Sequence, residues 1–128
     1  MDESLSSEPL TREDCLQLLG RADLARVVLS VRCLPAALPA RIALVEGNHL
    51  VLASREDAVI LAARRGDVIS VQIDGLEEDG ATWSVMVSGI ATVVAHDEVQ
   101  NPRIQASLDR GATLLALPLS VVIGQRGR

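Results

Sequence analysis

Apolar residues recur at every second position through several short stretches of this chain, and that period limits its fold more than any other feature. Val27, Leu29 and Val31 alternate with Arg26, Ser30 and Arg32, and Ile69, Val71 and Ile73 alternate with Ser70, Gln72 and Asp74. Successive side chains of a strand point to opposite faces, so the pattern predicts strands buried on one side. Residues 41–45 and 50–53 predict two more, joined by a hairpin turn at Glu46-Gly47-Asn48-His49. The stretch Leu34-Pro35 through Pro39 reads as an interruption before them. After the acidic turn Glu77-Glu78-Asp79-Gly80, a long strand pattern runs over 81–95, with Gly89 marking a bulge or bend. The last strand pattern covers 113–123, with Pro118 at an edge or bend.

Three short helices punctuate these strands. Thr11 caps the first, the acids Glu13 and Asp14 sit at its positive end, Cys15, Leu18 and Leu19 form its apolar stripe, and Gly20 suits its close. Asp57 caps a second over 58–65, ended by Gly66. Asn101-Pro102 opens a third, in which Ile104, Ser107 and Leu108 share a face and Gly111 terminates. Hairpin-like neighbours dominate and no βαβ repeat with long helices appears, which argues against a doubly wound parallel sheet. Six strands with one apolar face are best served by closing into a small antiparallel barrel, which also removes their edges. The expected layout is a flexible tail over 1–9, one domain over 10–125 and a loose basic tail over 126–128.

Composition removes several function classes. The 17 acidic residues outnumber the 12 arginines, giving a net charge of −5, and Trp83 is the only aromatic residue. Such a surface does not favour a phosphate backbone, and single-stranded nucleic acid finds no stacking platform. No apolar run approaches the roughly 20 residues of a membrane helix. The acidic start Met1-Asp2-Glu3-Ser4 is unlike a signal peptide, so a cytoplasmic protein is expected. Cys15 and Cys33 form no disulfide framework. With His49 and His96 they are scattered singly, so no metal spacing exists and no nucleophile has a base beside it. No catalytic residue is identifiable.

The order of elements, taken with certain strings, does point to a family. A capped helix leads into Ala25-Arg26-Val27-Val28-Leu29-Ser30-Val31; Val71-Gln72-Ile73-Asp74 follows a short Ala-rich helix; then comes Thr82-Trp83-Ser84-Val85-Met86-Val87-Ser88-Gly89. This resembles the pyridoxamine 5′-phosphate oxidase-like family of FMN-binding split barrels, in particular its small actinobacterial type. The most specific element is Trp83-Ser84-Val85 with Val87-Ser88-Gly89, similar to a Gly-Trp-Ser-Val-x-Val-x-Gly strand, although Thr82 replaces the leading Gly. The ending Ser120-Val121-Val122-Ile123-Gly124-Gln125-Arg126 is similar to the family's last strand. The resemblance implies a mainly β fold: a six-stranded antiparallel Greek-key split barrel with three short helices. It also implies a homodimer with two FMN sites at the interface, each built from both subunits.

Carried over residue by residue, Trp83 and Ser84 would border the flavin ring. Ser54, with Arg55 or Arg41, would meet its phosphate. The family's strand-end Arg falls on Ala53 and its Lys on Val59. Glu56 and Asp57 add two negative charges there, and like charges 4 Å apart repel by roughly 4 kcal/mol in a surface-like dielectric. Each residue also has a plainer role: Trp83 as core or interface filler, Ser84 as a wall hydrogen bond, Arg41 as an outward charge, and Ser54-Arg55 as a helix approach. The implied function is a flavin-binding, oxidoreductase-type protein of unassigned substrate. Three alternatives stay open. One is a cofactor-free binding or regulatory dimer. The second is a deazaflavin relative using Arg64, Arg65 and the C-terminal arginines. The third is a haem relative with His49 or His96 as axial ligand.

Overall fold

A computed structural model describes residues 7–45 and 49–127. Nine strands and three helices follow one another: β1 (Glu8–Pro9), α1 (Arg12–Arg21), β2 (Leu24–Val31), β3 (Leu34–Val45), β4 (His49–Ser54), α2 (Asp57–Arg65), β5 (Val68–Leu76), β6 (Thr82–Ile90), β7 (Thr92–Val93), α3 (Pro102–Asp109), β8 (Thr113–Pro118) and β9 (Val121–Gly127). The strands form one antiparallel sheet in the order β1-β9-β6-β5-β2-β3-β4-β8-β7. Only Ala91 separates β6 from β7, yet they lie near opposite ends of that order. The sheet therefore curls into a half-barrel, bringing Gly89 of β6 against Leu117 of β8.

The mainly β, antiparallel reading with three helices holds, but nine strands replace the expected six among the described residues. Two of the predicted strands are each divided: 81–95 breaks at Ala91, and 113–123 breaks after Pro118. The third addition is β1, which pairs Glu8 with Arg126 and Pro9 with Gln125. Residues 126 and 127, expected to trail off, belong to β9, where Arg126 pairs with Trp83 and donates to Glu77 Oε1 from Nη2 at 2.6 Å and Nε at 3.0 Å. Glu77 is thus an ion-pair partner as well as a turn residue.

The stretch of Pro35 and Pro39 does not interrupt. It is the first half of β3, paired with β2 through Pro35 opposite Ser30 and Pro39 opposite Arg26. Only Arg41–Val45 of β3 also pairs with β4, so both prolines sit where β3 has a neighbour on one side, a position that tolerates the missing N–H. The β2–β3 hairpin turns on Arg32 and Cys33, both at positive φ (53° and 66°), as a tight two-residue hairpin requires. The Glu46-Gly47-Asn48 turn lies outside the described residues.

The helices begin much as their sequences indicate. Thr11 Oγ1 accepts the Asp14 N–H at 3.1 Å while Asp14 Oδ2 accepts the Thr11 N–H, a capping box. The helix runs one residue past Gly20, to Arg21. Asn101 Oδ1 accepts the N–H groups of Arg103 and Ile104. In α2 the cap is Glu56 rather than Asp57, and no side chain bonds to its first turn. The main core fills the inside of the curled sheet, with Cys15 and Leu19 of α1 and Val59, Ala62 and Ala63 of α2 closing over it. A second cluster lies on the other face, where Ile104 and Leu108 of α3 cover Val51, Ala53, Leu114 and Ala116. No helix among the described residues is long and apolar enough to cross a membrane.

Candidate functional site

Residues alternating with the core positions point to the outer face of the sheet, and α3 covers only the β3–β4–β8 end of that face. At its margin lies a cleft of about 300 Å³. Arg41 reaches it from β3, directly across from Ala53 of β4 and Leu24 of β2. Ser54 and Arg55 reach it from the end of β4, and Ser107 and Arg110 from the last turn of α3. Ser54 is the sole buried polar residue among those described, at 2% exposure. Its Oγ accepts the Glu56 N–H at 3.1 Å, bending the chain from β4 into α2.

Three guanidinium groups and one carboxylate, Glu56, line this cleft, a local charge of +2. Among the described residues the ion pairs are Arg103–Asp23 and Arg126–Glu77, so none of the three arginines is engaged by an acid there. The first-turn N–H groups of α2 are likewise free of a side-chain cap. This lining fits a phosphate: planar cationic forks beside serine residues. Of the two positions where the family's cations would fall, Ala53 lines the cleft with a short apolar side chain, and Val59 is 0% exposed inside the main core, where a lysine would lose its hydration.

Trp83 and Ser84 lie elsewhere. Both border a cleft of about 700 Å³ at the Leu76–Thr82 end of β5 and β6. As strand neighbours they point to opposite faces. Ser84 stands on the outer face between Asp74 and Gln125. Trp83 packs inward against the main core and lies on Gly75, so close that a Cβ there would meet its ring at 2.6 Å. The core-filling role therefore holds for Trp83, and its edge still lines the cleft. A third cleft of about 360 Å³ lies between the other two. It shares Leu24 and Pro39 with the first and Asp74 with the second, and adds Arg26. Arg41, Ser54 and Arg55 are thus brought together, while Trp83 and Ser84 lie on β6, three strand spacings from Arg41 and four from Ser54, about 14–19 Å along the sheet.

The remaining candidates stay apart from this face. His49 and His96 are exposed and line none of the three clefts. No cluster of three or more His, Cys, Asp or Glu residues suited to a metal exists among the described residues. Cys33 is exposed in the β2–β3 turn; Cys15 is buried, and its thiol pKa is raised by that burial and secondarily by Asp14.

A family model for pyridoxamine 5′-phosphate oxidase matches residues 11–113. The chain belongs to this family. A relative in Mycobacterium tuberculosis, the uncharacterized protein Rv0080, is 30% identical over 129 residues, spanning 91% of this chain and 83% of that protein. The fold is similar to that of an FAD-binding protein from Mesorhizobium loti, with TM-score 0.74, 18% identity and coverage of 95% and 97% of the two chains. It is also similar to an FAD-binding protein from Mycobacterium smegmatis (0.69, 18%, 95% and 99%) and to an FAD- and haem-binding protein from the same organism (0.70, 18%, 96% and 74%). Within this pyridoxamine 5′-phosphate oxidase-family chain, Ser107 and Arg110 are the site residues that sequence reasoning missed. Arg110 reads only as the end of a helix, because nothing local says where α3 docks.

Proposed function

We propose that the chain binds FMN on the outer face of its curled sheet, as the flavoprotein of an oxidoreductase reaction. The observation that carries this reading is the gathering of Arg41, Ser54 and Arg55 around one cleft with a net positive charge, in a protein whose overall charge is −5. Arg41 stands across the β3–β4 ladder from Ala53, near enough for its guanidinium to serve the space a strand-end arginine would fill. Arg41 and Arg55 hold the phosphate with forked hydrogen bonds, beside the turn that Ser54 fixes by accepting the Glu56 N–H. A bound flavin supplies the electron transfer; the protein supplies position and excludes water. No side chain in the clefts is assigned as acid or base.

The curled sheet is read as a split barrel, with β2 to β6 and β8 as its six staves and β7 continuing β6. Two copies form the working unit. Two outer faces laid together place the phosphate cleft of one copy beside the ring cleft of the other. Apolar residues on that face support such a union: Leu24 is 59% exposed and Ile123 61%. A second reading, FAD in the same groove, is favoured by the continuity of the three clefts, which would take the longer molecule.

The test is a visible spectrum of the purified protein and its titration with FMN and FAD. A yellow protein, or micromolar FMN binding that Arg55→Ala weakens, supports the reading. A colourless protein indifferent to flavins refutes it and favours the cofactor-free dimer.

A further inference from the structure

We propose that Arg110 is the third arm of the anion site and that, with Arg41 and Arg55, it forms a three-guanidinium cup selective for a phosphate monoester. This rests on the reading of the arginine cleft as the phosphate end and adds a residue from an element outside the β4–α2 stretch.

Ala53 lies under α3 at 4% exposure, in one cluster with Ile104 and Leu108. Ala53 lines the cleft without contributing a charge, and the docking of α3 brings one in. Pro102–Asp109 spans two turns and ends at the cap Arg110, beside Ser54 and Arg55. Two features hold α3 in place from its other end. The Asn101 side chain caps it, and Arg103 pairs with Asp23, whose carbonyl accepts the Ile42 N–H from β3. Arg110 donates its own N–H to the Ser107 carbonyl at 3.1 Å, and Gly111 at φ +96° turns the chain away. The backbone of Arg110 is therefore fixed while its side chain is exposed and has no acid partner among the described residues.

Charge decides the ligand class. Arg41 and Arg55 against Glu56 leave +1; Arg110 raises this to +2. A phosphate monoester carries about −1.5 to −2 near neutral pH, so the third arginine is what balances a terminal phosphate. The C-terminal end of α3 opposes an anion with about half a unit charge, which the full charge of Arg110 outweighs.

The experiment titrates the full-length chain, Arg110→Ala, Arg110→Lys and Arg41→Ala with FMN, riboflavin and inorganic phosphate, following flavin fluorescence and the melting temperature. Arg32→Ala, in the distant β2–β3 turn, controls for net charge. Arg110→Ala should weaken FMN about 10- to 100-fold, the worth of a charged hydrogen-bonding arm. It should leave riboflavin binding unchanged and abolish the phosphate-induced rise in melting temperature. Arg110→Lys should recover part of the loss, and Arg32→Ala should show none. FMN binding lost in Arg41→Ala but intact in Arg110→Ala overturns the proposal and leaves the phosphate reading standing. Equal wild-type affinity for FMN and riboflavin overturns it as well. Phosphate binding that needs Arg110, in a protein that ignores FMN, upholds the cup and refutes the flavin. A wild-type chain that binds neither removes both.

Discussion

Replacing Gly75 by alanine should damage the protein through one side chain, Trp83. Gly75 does not need a glycine's backbone freedom, since its φ is not among the positive ones. What it provides is space: an added Cβ would meet the Trp83 ring at 2.6, 2.8 and 3.0 Å. Carbon atoms in contact settle near 3.5–4.0 Å, so the indole must retreat by about 1 Å. Overpacking of this kind costs about 1–3 kcal/mol, against a gain of about 0.5–1 kcal/mol from removing a glycine from a strand. The net expectation is a loss of up to about 2.5 kcal/mol in Gly75→Ala, read from urea unfolding by circular dichroism. Because Trp83 is the only tryptophan, its emission should shift to the red in the folded variant. In a Trp83→Leu background the same alanine should cost little, since the clash is gone. A Gly75→Ala variant as stable as the parent, with unshifted emission, would refute the close packing of Trp83 on this strand and with it the shape of the larger cleft.

Three other outcomes are expected. Gly124→Ala should loosen α1, because its Cβ would meet Cys15 Sγ at 2.5 Å and Leu10 at 3.1 Å, at a cost of about 1–3 kcal/mol in urea unfolding. Burial raises the Cys15 pKa in the folded state, so the unfolded thiol ionises first. Stability should thus be complete below about pH 8.5 and decline as pH rises from there toward the folded pKa, and Cys15→Ala should flatten that decline in a series of urea midpoints. Asn101→Ala removes the cap of α3 and should cost about 1 kcal/mol by thermal melting. It should also weaken FMN, because α3 carries Arg110; unchanged FMN affinity in a destabilised Asn101→Ala would separate α3 from the site.

Much of the fold was legible because strand period, helix caps and turn residues are local properties. The Thr11 capping box and the Asn101-Pro102 start sit where the residues place them. The prolines of β3 misled because a proline's cost depends on whether a strand has neighbours on one side or two, which only the sheet order decides. The closing strands were miscounted for a similar reason: Ala91 and the Leu119-Ser120 corner carry no breaker of their own beyond Pro118. At the site, Arg41, Ser54 and Arg55 come together because a cross-strand pair and a strand end bring them there, and both follow from the β3–β4 hairpin. Trp83 and Ser84 are adjacent in a motif, and a strand sends them to opposite faces while both still border one cleft. Arg110 was invisible, since its meaning comes from the docking of Ile104 and Leu108 on Val51 and Ala53.

The central claim is that a flavin rests on the outer face with its ring at the Trp83–Ser84 cleft. Trp83 emission recorded during an FMN titration tests it most directly, since a flavin ring nearby absorbs the energy of this single tryptophan. Saturable quenching that levels off at one flavin per chain is the expected result. Emission that falls only in proportion to the light absorbed by free flavin, with no saturation, would contradict the account.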